Sequence, residues 1–255
     1  MTSKSKTDHI IILIPSYNEE PVLPQLYDRL NALAKNTKDV KFEYLFIDDG
    51  SSDRTLAIIK DWSRHDKRVS YLKLSRNFGK EIAMIAGLDH AKQADATIII
   101  DADLQDPPEL IPEMIQHWRE GYDDVYARRI SRVGETWLKK TTSKIFYRLL
   151  QVSTRIPLQR DTGDFRLLSQ RAVESIIQLR ERQRYTKGMY SWIGFPKKEL
   201  LYERDPRAAG TTKWNYIRLV DLAIEGLTSF TTAPLRLASM LGITVSILAF
   251  AYLLY

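Results

Sequence analysis

The sequence predicts an α/β fold with a mostly parallel central sheet, followed by an amphipathic helix and an apolar C-terminal segment. Three observations carry that prediction. Short runs of β-forming residues alternate with amphipathic helical stretches over residues 10–127, the pattern of a parallel sheet covered by helices. Several of those runs end in acidic, turn-forming residues, at the strand ends where open α/β sheets bind ligands. Charge then disappears from Leu237 to Tyr255, a stretch of 19 residues.

Taken in order, Ile10–Ile14, Phe42–Ile47, Val69–Leu74, Thr97–Ile100 and Asp124–Ala127 read as strands. Val22–Lys35, Thr55–His65, Glu81–Ala91 and Leu110–Glu120 between them carry apolar residues at helical spacing. Beyond Arg128 the alternation loosens. Trp137–Gln151 reads as a helix, Asp161–Leu168 as a loop entering a short strand, Gln170–Leu179 as a helix and Leu200–Tyr202 as an edge strand. Trp214–Ser229 mixes Ile217, Val220, Ile224 and Leu227 with Arg218, Asp221 and Glu225. Such a helix either lies in a membrane interface or docks on the domain before it. The uncharged C-terminal run, at about 1.5 Å per residue, approaches the ~30 Å hydrocarbon thickness and is expected to span a membrane. It ends while still apolar, so a further membrane segment is expected beyond it.

Composition narrows the function. The 255 residues are 44% hydrophobic and 27% charged, ordinary for a globular domain. The chain has no cysteine, which excludes disulfides and thiolate metal sites. The net charge of +6 is uneven: residues 125–218 hold 21 Lys/Arg against 8 Asp/Glu. A basic region beside an apolar segment suits anionic lipid at a cytoplasmic surface. It is interrupted by apolar residues, which argues against nucleic acid. No Gly-x-Gly pair, phosphate loop or Gly-x-Ser-x-Gly elbow is present, and His9, His65, His90 and His117 have no metal-binding spacing.

The most informative motif is Asp101-Ala102-Asp103-Leu104-Gln105-Asp106-Pro107-Pro108. Side chains two apart on an extended chain share a side, so Asp101, Asp103 and Gln105 can converge if the strand geometry continues. Three oxygen donors suit a hard cation, Mg2+ or Mn2+. The bland alternative is a solvated acidic turn. Asp48-Asp49-Gly50-Ser51-Ser52-Asp53 follows the second strand, and a carboxylate there can meet a base or ribose, or cap the next helix. Pro15-Ser16-Tyr17-Asn18-Glu19-Glu20 follows the first, with Tyr17 able to stack on a base and Glu19 to accept hydrogen bonds.

Together these three motifs resemble, in order and spacing, those of the family-2, GT-A-fold glycosyltransferases. Asn77-Phe78-Gly79-Lys80, Thr162-Gly163-Asp164-Phe165-Arg166-Leu167 and Ser191-Trp192-Ile193-Gly194-Phe195 narrow the resemblance to the polyprenyl-phosphate branch, similar to dolichyl-phosphate mannose synthases and bactoprenol glucosyl transferases. The resemblance implies a GT-A catalytic domain over 1–213, a juxtamembrane amphipathic helix over 214–234 and a transmembrane segment over 235–255. It implies that Pro15, Tyr17, Glu19, Ile47, Asp48 and Asp49 hold the nucleotide. Asp101, Ala102 and Asp103 line the sugar-diphosphate site, with Asp101, Asp103 and Gln105 as the metal-ligand set. Arg128 or Arg129 meets phosphate, Arg207 and Lys213 belong to a basic loop that closes on the donor, and Lys139 and Ser143 grip the lipid phosphate. Processive synthases of the wider family carry Gln-x-x-Arg-Trp; Arg182-Gln183-Arg184-Tyr185 does not fit it, which favours a single transfer.

The expected reaction is therefore metal-dependent, inverting transfer of one sugar from a nucleotide-sugar, UDP-glucose first, to undecaprenyl phosphate. The expected place is the cytoplasmic face of the inner membrane, with homo-oligomers an accompanying expectation. A phosphate monoester is already anionic near neutrality, with a second pKa of ~6, so no strong base is needed. Asp101 and Asp103 are assigned to donor and metal. Asp164 is the carboxylate left near the acceptor, either to orient an arginine or to take a proton. GDP-mannose and aminoarabinose donors, other acceptors, and a non-catalytic lipid-phosphate-binding module are the alternatives.

Overall fold

A computed structural model of the chain describes residues 7–130, 162–179, 186–203 and 233–255. Two compact units divide it, Met1–Val133 with Gln159–Thr211, and Gly134–Leu158 with Thr212–Tyr255. Expectations for Lys139, Ser143, Arg207, Lys213, and the helices over 137–151 and 214–229 lie outside the described residues.

In the first unit the described strands are β1 (Asp8–Ser16), β2 (Val40–Asp48), β3 (Val69–Lys73), β4 (Ala96–Ile99), β5 (Asp124–Arg129), β6 (Thr162–Ser169) and β7 (Lys197–Tyr202). They form one sheet in the order β3-β2-β1-β4-β6-β5-β7. β1 pairs in parallel with β2 and β4, β2 with β3, and β5 with β7. β6 runs antiparallel to β4 and to β5. The sheet is thus mostly parallel, as the alternation predicts, with one reversed strand that alternation cannot reveal. Ile10, Ile12, Leu13 and Ile14 of β1 are all buried, as a strand covered on both faces requires.

The described helices are α1 (Leu23–Asn36), α2 (Thr55–His65), α3 (Lys80–Ala91), α4 (Ile111–Arg119), α5 (Gln170–Gln178) and α6 (Thr186–Trp192). In α1, Pro24 sits in the first turn, and Leu23, Leu26, Leu30 and Leu33 recur at 3–4 spacing and are buried. Each such leucine contributes about 1.5–3 kcal/mol by leaving water. The helix ends where Thr37 N–H donates to the Leu33 carbonyl. α4 begins as a 3-10 turn, Pro108–Leu110, because Pro107 and Pro108 stop the preceding segment. Two elements differ from expectation. The segment entering at Thr162 is a fully buried eight-residue strand, and α6 carries too few apolar repeats to be seen in advance.

The strand register sets the site. β1 and β2 end level, Ser16 against Asp48. Leu13 of β1 pairs Ile99 of β4, and Ile99 pairs Arg166 of β6. Continuing both registers by two residues sets Asp101 level with Pro15 on one side and Asp164 on the other.

The second unit contributes α7, Ala233–Leu254. Leu241, Ile243, Val245, Ile247, Leu248 and Phe250 are among its exposed apolar side chains. Among the described residues no helix is long and apolar enough to cross a membrane. The span expected over 235–255 is therefore not established by the fold; the fold supplies an apolar helix with exposed side chains.

Candidate active site

The first two strand-end loops are stitched together. Asn18 N–H donates to Ser51 Oγ at 3.0 Å, Glu19 N–H to Thr55 Oγ1 at 2.8 Å and Glu20 N–H to Asp53 Oδ2 at 3.2 Å. In return Ser52 N–H donates to Asn18 Oδ1 at 2.8 Å, and Arg54 N–H to Glu20 Oε2 at 3.0 Å. Asn18 takes a left-handed φ of 56°, which asparagine tolerates. The result is a rigid wall in which Pro15, Tyr17 and Glu19 are only partly buried.

Ile47 and Asp48 lie fully buried beneath that wall. Ser51 N–H donates to Asp48 Oδ1 at 3.2 Å, while Asp48 Oδ2 is buried with no partner among the described residues. Asp49 turns away from this pair. Its two carboxylate oxygens accept from the backbone N–H groups of Phe78, at 2.8 Å, and Gly79, at 2.9 Å. Asp49 thereby holds the loop that delivers Lys80 at the start of α3. Gly50, with φ 72°, makes this approach feasible: a Cβ there would lie 2.5 Å from the Arg76 carbonyl carbon and 2.7 Å from Asn77 N.

Lys80 is the site residue that the motif reading missed. Its Nζ lies 2.5 and 2.7 Å from the two oxygens of Asp101 and 2.5 Å from Asp164 Oδ2. The register explains the triad, since Asp101 and Asp164 face one another across β4 and β6. Burial would pull the Lys80 ammonium down, but Asp101 and Asp164 outweigh it and hold it well above the usual lysine range. Burial would push the Asp164 carboxyl up, yet the charges of Lys80 and Lys187 hold it far below its ordinary value. Beside them, burial and the charge of Asp164 raise Glu81, whose Oε2 accepts from Thr186 N–H at 3.0 Å. The signal was present in Asn77-Phe78-Gly79-Lys80, but as a family marker without a role.

After Ile100 the chain leaves the extended conformation. Leu104 is buried at φ 60°, rare for a bulky residue and a store of about 1–3 kcal/mol of strain. Burial nonetheless alternates along the segment. Ala102, Leu104 and Asp106 point inward, while Asp101, Asp103 and Gln105 are only partly buried. Gln105 N–H donates to Asp103 Oδ1 at 3.2 Å.

Among the described residues no three His, Cys, Asp or Glu side chains cluster as a metal site. Asp101 is committed to Lys80, so its place in the expected ligand set is taken by an ammonium. Asp103 and Gln105, both partly buried, carry two further hard oxygen donors. That fits a cation of the Mg2+ class, which takes one or two protein oxygens and completes its shell with water and substrate phosphate.

Behind the triad, Arg129 Nε donates to Tyr202 Oη at 3.4 Å, and Tyr202 Oη donates to Asp106 Oδ1. Gly163 lets this cluster close, since a Cβ there would lie 3.3 Å from the Arg129 guanidinium. Burial would lower the Arg129 pKa, but Tyr202, Asp106 and Asp101 raise it. Arg128 instead faces Glu199 at 3.2 Å. Arg128 and Arg129, the alternatives for phosphate contact, thus both meet β7, at Glu199 and Tyr202, and Arg129 also feels the charges of Asp106 and Asp101. Deeper, Arg166 pairs with Asp124 at 3.0 Å, both fully buried.

Comparison with known proteins accords with this geometry. Residues 11–177 match the family described as glycosyl transferase family 2. A glycosyltransferase of Synechocystis sp. of uncharacterized activity is 46% identical over 246 residues, covering 96% of this chain and 77% of its own. A prophage bactoprenol glucosyl transferase homolog of Escherichia coli is 42% identical over 243 residues, covering 95% of this chain and 79% of its own. Among solved structures, a mannosyltransferase of Pyrobaculum calidifontis in complex with GDP-Man and Mn2+ superposes with a TM-score of 0.54 at 15% identity, over 84% of this chain and 60% of its own. It shares the GT-A type of fold. The matched family, the two relatives and the strand-end site together establish that this chain belongs to glycosyl transferase family 2 and is a glycosyltransferase.

Proposed function

We propose that the protein transfers one hexose, with glucose from UDP-glucose as first candidate, to a polyprenyl phosphate at the cytoplasmic face of the inner membrane, with inversion. The observation that carries this is the strand-end set itself. Asp103 and Gln105 lie together, partly buried, Asp101 pairs with Lys80, and the wall bearing Tyr17 and Glu19 stands at the end of β1. Asp48 Oδ2, partnerless among the described residues, supports the nucleotide reading, because a buried acceptor is costly until a base N–H or ribose hydroxyl satisfies it. The E. coli relative's name, a bactoprenol glucosyl transferase homolog, supports a lipid-linked acceptor and glucose.

A divalent cation held by Asp103 and Gln105 would neutralise the leaving diphosphate. The protein's own groups have separable duties. Tyr17 and Glu19 hold the nucleotide, and Lys80 holds Asp101 and Asp164 in place and keeps Asp164 ionised. A carboxylate held down by a lysine is a weak base. That suits an acceptor already anionic near neutrality, with a second pKa of ~6, better than it suits an alcohol. The exposed apolar side chains of α7 and the basic excess of residues 125–218 support attachment to an anionic membrane.

The test is incubation of labelled UDP- and GDP-sugars with undecaprenyl phosphate in detergent, with Mn2+ or with chelator. The expected product is lipid-soluble, released by mild acid as a sugar phosphate is, and absent with chelator. A product stable to mild acid would place the sugar on a different acceptor, and turnover unaffected by chelator would remove the metal.

A further inference from the structure

Lys80 touches two carboxylates from different strands, and both belong to the site. Its side chain is 39% exposed, that of Asp101 22% and that of Asp164 11%. Lys80 and Asp101 therefore reach the cleft surface, with Asp164 buried behind them. The triad sets one ammonium between two carboxylates, with Glu81, Lys187 and Arg129 around it. What it matches is a group that both donates and accepts, which is a hydroxyl. Neighbouring hydroxyls of a hexose present such groups a few ångströms apart, comparable with the reach of one ammonium between two carboxylates.

Resting on the nucleotide-sugar reading above, we propose that Lys80 is a specificity-determining residue: with Asp101 and Asp164 it forms a hydroxyl-reading triad for the donor hexose, while the phosphates are held elsewhere. Lys80 keeps the two like charges together, so the donor and acceptor positions are preset before the sugar arrives. Asp49 and Gly50 act through it as positioning residues, by clamping the loop from which it projects.

The experiment measures binding of UDP, UDP-glucose and its C4 epimer UDP-galactose by calorimetry, together with GDP, GDP-mannose and its C2 epimer GDP-glucose. It uses the full-length chain and needs no lipid acceptor. Lys80→Met is expected to leave affinity for the free nucleoside diphosphate within about twofold of wild type. Preference for the better-bound sugar over its epimer is expected to fall about 10-fold or more, the scale of losing a hydrogen bond to a charged group. Lys80→Arg is expected to restore much of that preference, and kinetics should show the loss of Lys80→Met in donor KM at least as much as in kcat. Retained epimer preference in Lys80→Met overturns the proposal, and so does a parallel loss of diphosphate and sugar affinity. Should Lys80→Met not fold by circular dichroism, Asp164→Asn carries the same expectation. If the wild-type chain binds none of these nucleotides, the donor reading itself falls, and this inference with it; if it binds them and Lys80→Met keeps their ranking, only this inference falls.

Discussion

Asp103 and Asp101 are two residues apart in a family-defining motif, yet the structure gives them different neighbours. Asp101 answers to Lys80, while Asp103 accepts from the Gln105 N–H. Asp103→Asn should therefore fold normally and lose turnover about 100-fold or more, the scale of removing one preorganised electrostatic contact at a leaving group. Steady-state rates across a Mn2+ titration check this, and a variant with near wild-type turnover would refute the role. Gly50 tests the scaffold instead of the chemistry. Its φ of 72° and the approach of Arg76 and Asn77 backbone atoms within 2.7 Å leave no room for a methyl group. Gly50→Ala should cost about 1–3 kcal/mol of stability, read as a lower urea midpoint. Weakened donor binding should follow, because the clamp on the Lys80 loop moves with it. Asp101 and Asp103 were legible in the sequence because a short motif after a buried run suffices to place them. Lys80 was not, because it reaches Asp164 across a register that only the reversed β6 creates.

At the scale of elements, two polar clusters show how the helices and strands are held. Asp66, just after α2, accepts from Tyr27 Oη of α1 at 2.7 Å and pairs with Arg68 at 2.6 Å. Hydrogen bonding from Arg68 pulls the Asp66 pKa down to about 2 against the burial that would raise it. A carboxylate depressed on folding contributes stability that is present above its unfolded pKa of about 3.9 and lost as pH falls toward 2. Asp66→Asn should thus cost about 1 kcal/mol near pH 7, discounted for the exposed side of Arg68. The difference in Tm from wild type should shrink below pH 4; a difference constant from pH 7 to pH 2 would detach the effect from this ionisation. Between β5 and β6, Asp124 and Arg166 form a fully buried pair, with the Arg166 guanidinium 3.7 Å above the Tyr190 ring. Removing one partner breaks a fully buried ion pair, so Asp124→Ala should cost about 3–5 kcal/mol, measured by chemical denaturation. The same pair shows why part of the fold was hidden. Arg166 reads as a loop residue by composition, and only its long-range partner makes it the centre of a buried strand.

At the scale of the whole molecule, strand–helix alternation made the first unit's sheet legible from Ile10 to Ala127, because each period of burial is local. The far side of the sheet was less so. β6, β5 and β7 are joined by pairings over long sequence separations, and no local periodicity reports their direction. The C-terminal helix poses the opposite problem: its composition is plain, but what its apolar side chains contact is not a property of this chain alone. More than half of the surface of Leu241, Ile243, Val245, Ile247, Leu248 and Phe250 is exposed. So many exposed apolar side chains on one helix call for a covering phase, and under the proposed membrane attachment a bilayer provides it. Ile247→Lys would then place a charge in hydrocarbon at about 2.5–3.5 kcal/mol. Flotation with neutral phosphatidylcholine vesicles should show binding reduced about 50-fold or more, and nucleotide affinity should be unchanged because Ile247 is not among the residues assigned to the donor. Adding anionic lipid should recover part of the binding, and salt should remove that part again, since the basic residues of 125–218 act over a screening length of about 10 Å at 0.1 M salt. Wild-type flotation of Ile247→Lys on neutral vesicles would show that α7 is not the element that meets the membrane.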